Sequence, residues 1–270
     1  MGKPKAFLEK AGDEWLDDFV YIAKQGLINR GYTIIPFDGS DMENTLLNKV
    51  IDPEEDIIIG SVEATVEFFK YCSINIPKAI SYPESLRSYL GRDIVETTFD
   101  QLNSDGFPYF VKPSSQIKLF TGDVVSHDEH LGYLVLNGAK PETRVYKSTL
   151  VEFISEYRCF VTKGEIRGMK HYIGDFEIFP NMAIVNEMVD VFEKSTEAPS
   201  AYTLDVGITK EGLTLLVEVN DMWAIGSYGL DGDTYALLCA RRMKEIYMEM
   251  LERDLESLTL EQYMQLKELQ

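Results

Sequence analysis

The stretch Tyr202-Thr-Leu-Asp205-Val-Gly-Ile-Thr-Lys-Glu211-Gly212-Leu-Thr-Leu-Leu-Val-Glu218-Val-Asn220 reads as a β-hairpin with chemistry on one face. Val, Ile, Leu and Thr suit strands, and Glu211-Gly212 marks the turn. With a two-residue turn of the kind hairpins favour, Asp205 lies directly opposite Glu218. Strand side chains alternate faces, so Asn220 shares the face of Glu218. Carboxylates that face each other across a ladder repel, here within strands that are otherwise apolar. A hard divalent cation such as Mg²⁺, which takes Asp, Glu and Asn oxygens, would remove that conflict. The alternative is a solvated face on an edge strand.

A second hairpin runs from Glu156 to Tyr172 and turns at Lys163-Gly164. A two-residue turn pairs Phe160 with Arg167, which makes Arg158 and Arg167 diagonal neighbours on one face. Two guanidinium forks held together suit a phosphate or carboxylate; otherwise each pairs with a local acid such as Glu156 or Glu165. Further upstream, Phe107 to Pro113 reads as a short buried strand that delivers Lys112 at its end. Ser114-Ser115-Gln116 is a tight polar loop, and Ile117 to Phe120 resumes a strand that carries Lys118. Ammonium groups beside a serine-containing turn suit phosphate oxygens. A metal site and an anion site in one chain point to a metal–polyphosphate ligand.

The order of these motifs resembles the ATP-grasp superfamily: strand and lysine, small-residue loop, second lysine, apolar hinge, Glu-Tyr-Arg-Cys-Phe-Val, then Asp and Glu-x-Asn. The resemblance covers residues 84 to 250. It is more particular over Glu156 to Gly168, which is similar to a divergent clade of bacterial and phage proteins related to the chaperone that assembles translation initiation factor 2. The resemblance implies that Asp205, Glu218 and Asn220 hold Mg²⁺ and that Lys112 and Lys118 grip the phosphates of ATP. It implies that the backbone of Val151, Glu152 and Phe153 meets adenine, and that Arg158 and Arg167 serve the γ-phosphoryl group or the carboxylate substrate. The implied activity is ATP- and Mg²⁺-dependent ligation, in which a carboxylate activated as an acylphosphate is attacked by an amine, with a peptide or protein as candidate substrate. A nucleotide-binding assembly factor that forms no ligation product and a phosphotransferase are the alternative readings.

The fold class read from the sequence is α/β with an α+β core, in two α+β lobes. Residues 1–83 are expected to form a small parallel-sheet domain that precedes the grasp. Residues 84–150 would form the small lobe, 151–257 the C-terminal lobe and 258–270 a terminal helix. In the first part the pattern predicts a helix over 13–30 with Trp15, Phe19, Ile22 and Leu27 apolar. It then predicts strands at 32–36, 56–59 and 78–80 around helices at 41–50 and after Ser61. Segments 84–89 and 96–102 read as helical linkers. Arg87 and Arg92 flank Gly91 and are expected as solvated helix ends. Asn181 caps a helix through Lys194, and Asp231 caps a long one to about Arg253.

Composition bounds the function class. The 270 residues carry 26 basic and 45 acidic side chains, a net charge of −19. Residues 107–172 hold nine Lys/Arg and seven Asp/Glu, against 17 and 38 in the rest. An acidic body repels nucleic acid and anionic membranes, so neither is an expected partner. No run approaches the ~20 apolar residues of a membrane span, and the N-terminus lacks a signal peptide's apolar stretch. The expected location is cytoplasmic. Cys72, Cys159 and Cys239 lie far apart in apolar segments and read as buried hydrophobes. His127, His130 and His171 are too few and too scattered for a zinc centre.

Overall fold

The computed structural model describes residues 2–47, 50–103, 105–115 and 120–257. The chain divides into two compact units. One takes the chain up to Ile76, Pro199–Ala201 and the chain from Met222; the other takes Pro77–Ala198 and Tyr202–Asp221.

In the first unit, strands β1 (Lys5–Ala11), β3 (Thr33–Asp38) and β4 (Ile57–Ile59) are parallel, with β1 in the middle. The parallel sheet is as expected, but its membership differs. The sequence pattern missed β1, because Lys, Ala, Leu and Glu are helix formers and only Ala6-Phe7-Leu8 is apolar. Those three residues are fully buried in the middle of the sheet. The expected helix over 13–30 is shorter. Strand β2 (Glu14–Trp15) folds back antiparallel on β1, and helix α1 covers only Asp18–Asn29. Helices α2 (Met42–Leu47) and α3 (Val62–Tyr71) follow as expected, and Ser61 Oγ accepts from Ala64 N at 3.2 Å to cap α3. No strand forms at 78–80.

Helix α6 (Gly232–Ser257), which the sequence pattern placed in the C-terminal lobe, belongs to this first unit and packs on α1. Asp231 caps it, accepting from Thr234 N at 2.9 Å. The two helices approach at Gly26 and Gly232, where a Cβ on Gly26 would lie 1.8 Å from Gly232 O.

The second unit holds two four-stranded sheets. Strands β5 (Ile94–Thr98), β6 (Tyr109–Pro113), β7 (Asp123–Val125) and β8 (Arg144–Ser148) are ordered β5-β8-β6-β7, with helix α4 (Asp128–Leu136) between β7 and β8 in sequence. Residues 96–102, expected as helix, instead finish β5 and enter a single 3₁₀ turn. Ile94, Val95, Thr97 and Thr98 are β-branched and lose χ1 freedom in a helix. The side chains of Tyr109, Val111, Val125, Leu134 and Val145 fill one core.

The other sheet is built of two hairpins, β9 (Phe153–Thr162) with β10 (Glu165–Gly174) and β11 (Ala201–Thr209) with β12 (Thr214–Asp221), ordered β10-β9-β11-β12. Helix α5 (Met182–Lys194) begins at the expected cap, with Asn181 Oδ1 accepting from Ala183 N at 3.0 Å. Its buried Val185, Met188, Val189 and Phe192 meet Tyr157, Cys159, Leu204 and Val206 from the sheet. Fully burying such side chains contributes about 1.5–3 kcal/mol each. The opposite face of the two hairpins is therefore free to carry polar groups. The expected terminal helix at 258–270 lies outside the described residues.

Candidate functional site

The two hairpin turns differ, and the difference sets what each strand face presents. Lys163 and Gly164 both have positive φ (50° and 74°), as the tight two-residue turn requires. After Ile166, however, the register shifts, so Gly168 opposes Phe160 and Lys170 opposes Arg158. The expected pairing of Arg167 with Phe160 is thereby corrected. Arg167 sits in a bulge, is 44% exposed and pairs with Glu165 at 3.1 Å. It is not brought beside Arg158. A one-residue bulge leaves no mark in an alternating pattern, and this one replaces an expected Met169 with Lys170 opposite Arg158.

The second hairpin turns through three residues, not two. Gly212 takes φ 78° and donates its N–H to Thr209 O at 2.9 Å. A compensating register shift between Asp205 and Val206 restores the expected alignment, so Asp205 does face Glu218, and Thr203 faces Asn220.

Asp205, Glu218 and Asn220 converge as expected. The amide of Asn220 donates to Asp205 Oδ2 at 3.3 Å and to Glu218 Oε1 at 3.0 Å. The conflict between the carboxylates is met by two cations of the chain itself. Arg158 grips Asp205 with both ends of its fork, Nε to Oδ1 at 2.8 Å and Nη2 to Oδ2 at 2.6 Å. Lys112, at the end of β6 and 7% exposed, forms a short ion pair with Glu218 Oε2. Burial pushes the Asp205 carboxyl up, to about 6, against the pull of Arg158 and with the help of Glu218 and Glu156. Burial depresses the Lys112 ammonium, but Glu218 and Tyr82 carry it above its ordinary value.

These groups border a cavity of ≈ 480 Å³ lined by Lys112, Glu218, Arg92, Val151 and Phe153 among others. Lys112 and Glu218 thus share one chamber with the expected adenine hinge. The side chain of Glu152 turns outward to Lys210 at 2.7 Å, so only its backbone is available to a ligand. Lys118 and its strand lie outside the described residues.

Other cavity residues went unassigned in the sequence. Tyr172 donates its hydroxyl to Glu156 Oε2 at 2.5 Å, and burial raises its pKa, with Asp205 and Glu156 adding to the rise. The ring of Tyr82 lies 4.7 Å from Lys112 Nζ and 5.8 Å from the Arg92 guanidinium carbon. Arg92 is not the solvated helix end expected of it, whereas Arg87 is, paired with Glu84 at 2.9 Å. The signal available for Arg92 was Gly91, whose positive φ of 61° aims the next residue inward.

The donor set fits a hard cation. Two carboxylates and an amide offer oxygen ligands, since the Asn220 side chain presents Oδ1 when its amide is flipped. Among the described residues no group of three or more His, Cys, Asp and Glu is placed to hold a metal, so the amide is needed to complete the set.

A sequence profile for an ATP-grasp domain, the second family of its clade, matches residues 89–238, more than half of the chain. Solved structures share the fold. The D-alanine–D-alanine ligase from Bacillus anthracis complexed with ATP aligns with TM-score 0.54 and 15% identity over 92% of this chain and 98% of that one. The L-amino acid ligase from Bacillus licheniformis aligns with TM-score 0.55 and 12% identity over 90% and 75%. The N5-carboxyaminoimidazole synthetase from Staphylococcus aureus gives 0.53 and 12% over 89% and 78%. At these identities the likeness establishes the fold alone. No curated protein sequence gives a significant match.

Proposed function

The chain belongs to the ATP-grasp family, and from that premise we propose that it is an ADP-forming carboxylate–amine ligase that works on ATP with Mg²⁺. The observation that carries this reading is the chamber in which Lys112 and Glu218 meet the hinge residues Val151 and Phe153. Nucleotides need an apolar slot for the base and cations for the phosphates, and this chamber has both at one site.

The roles follow from charge. The backbone at Val151 to Phe153 receives adenine. Lys112 leaves Glu218 for the phosphates, and Lys118 joins it on the strength of the sequence resemblance. Glu218, Asn220 and Asp205 hold Mg²⁺, which when bound offsets the negative charge of the polyphosphate. The substrate carboxylate attacks the γ-phosphorus, the bond to the β,γ-bridging oxygen breaks, and ADP departs. The amine then attacks the acyl carbon, phosphate leaves with its bonding pair, and the amine nitrogen sheds a proton. Both steps gather charge on oxygen, which fixed cations stabilise without reorganising. Arg158 supplies such a cation through its grip on Asp205.

The test is product analysis with panels of carboxylates and amines. Ligation releases ADP and free phosphate in equal amounts with a new amide. ADP without free phosphate would instead mean transfer to a hydroxyl, and nucleotide binding without turnover would mean an assembly role. Glu218→Gln is expected to lose Mg²⁺-dependent turnover by roughly 10²–10³-fold, the usual effect of losing one transition-state contact. Full turnover in that variant would remove Glu218 from the metal set.

A further inference from the structure

Strand β12 carries an irregularity whose effect falls on the site. Leu216 pairs with Val206 and Glu218 with Asp205, so Val217 opposes no residue of its own. Burial slips at the same point: Leu216 and Val219 are buried, while Val217 and Glu218 both line the cavity. Shifting a strand by one residue moves each side chain to the other face. Without the bulge Val217 would oppose Asp205, and Glu218 would turn toward the apolar core.

Arg92 holds this bulge. Its Nη1 donates to Leu216 O at 2.8 Å and to Leu90 O at 2.9 Å, and its Nη2 donates to Val217 O at 2.7 Å. The two β12 carbonyls belong to the bulged residue and the one before it. A bulge disturbs ladder pairing, and a rigid five-donor fork suits several carbonyls at once. Gly91 makes the approach feasible, since a Cβ there would lie 2.4 Å from Leu215 Cδ1.

The geometry points to Arg92 as a positioning residue for metal–nucleotide binding: it fixes the Val217 bulge and so delivers Glu218 to the face shared with Asp205 and Asn220. This inference rests on the metal assignment proposed above. Arg92 acts through the backbone of β12, so its loss should weaken the Mg²⁺-dependent part of nucleotide binding and spare the rest.

The experiment is calorimetry of a β,γ-imido ATP analogue with and without Mg²⁺. The proteins are wild type, Arg92→Met, Arg92→Lys, Glu218→Gln, and Arg92→Met with Val217 deleted, each checked for folding by circular dichroism. Arg92→Met is expected to lose about 10–100-fold of the Mg²⁺-dependent tightening, the usual cost of removing a partner that orients a ligand, with Mg²⁺-free affinity unchanged. Arg92→Lys should recover part of the loss. Deleting Val217 should recover it more fully, because Glu218 then follows Leu216 directly and needs no bulge to face Asp205. Arg92→Met with undiminished Mg²⁺ dependence, or with equal losses in both conditions, would overturn the inference. Glu218→Gln separates the two failures: if it too keeps Mg²⁺ dependence, the metal assignment is at fault and not the role of Arg92.

Discussion

At the scale of single residues, the site is governed by how two buried carboxylates are neutralised. Asp205 is 1% exposed and Arg158 5% exposed, and each is the other's main counter-charge. Removing one partner of such a pair leaves an uncompensated buried charge, at a cost of about 3–5 kcal/mol. Arg158→Met is therefore expected to lower stability by that amount in urea titration, and Arg158→Met/Asp205→Leu to recover most of it. Equal losses in the single and double variants would show that packing, not charge, holds the pair. Arg167 makes the contrast, being exposed and paired only with Glu165. Arg167→Ala should change stability by no more than ~0.5 kcal/mol and leave nucleotide affinity unchanged. A loss of affinity there would restore the role that its sequence position suggested.

At the scale of elements, what the sequence disclosed and what it hid have a common physical cause. Alternation of apolar and polar residues set Asp205 opposite Glu218 and gathered Asn220 with them, because a period of two survives any choice of turn. The bulges at Arg167 and Val217 are single insertions of backbone that no side-chain pattern announces. They decided whether Arg167 or Lys170 belongs to the site face. Strand β1 was hidden for a different reason, since its central place in a sheet overrides a composition suited to helix. Close approach was equally hidden: Gly26 looked like a weak point in α1 but is the contact with α6. Gly26→Ala should thus lower the melting stability by about 1–3 kcal/mol through overpacking, although alanine is the better helix former by about 1 kcal/mol. A stabilised variant would show that the helices do not meet at this glycine.

At the scale of the whole molecule, the acidic charge and shielded thiols set the chain's behaviour in solution. No helix among the described residues is long and apolar enough to cross a membrane. Cys159 and Cys239 are buried and Cys72 is half-buried. Loss of solvent pushes each of the three up to about 12. Since the thiolate is the reactive form, native protein at pH 8 should react slowly with a disulfide thiol reagent at all three positions and rapidly in denaturant. Fast reaction of one thiol in native protein would contradict its shielding. The central claim is that one chamber of this chain binds ATP through Lys112 and through a metal set of Asp205, Glu218 and Asn220. Its most direct test is equilibrium binding of a non-hydrolysable ATP analogue to wild type and to Glu218→Ala/Asn220→Ala, with and without Mg²⁺. Binding that Mg²⁺ strengthens in wild type and fails to strengthen in the double variant is the predicted result. No binding to wild type, or the same Mg²⁺ effect in both proteins, would contradict it.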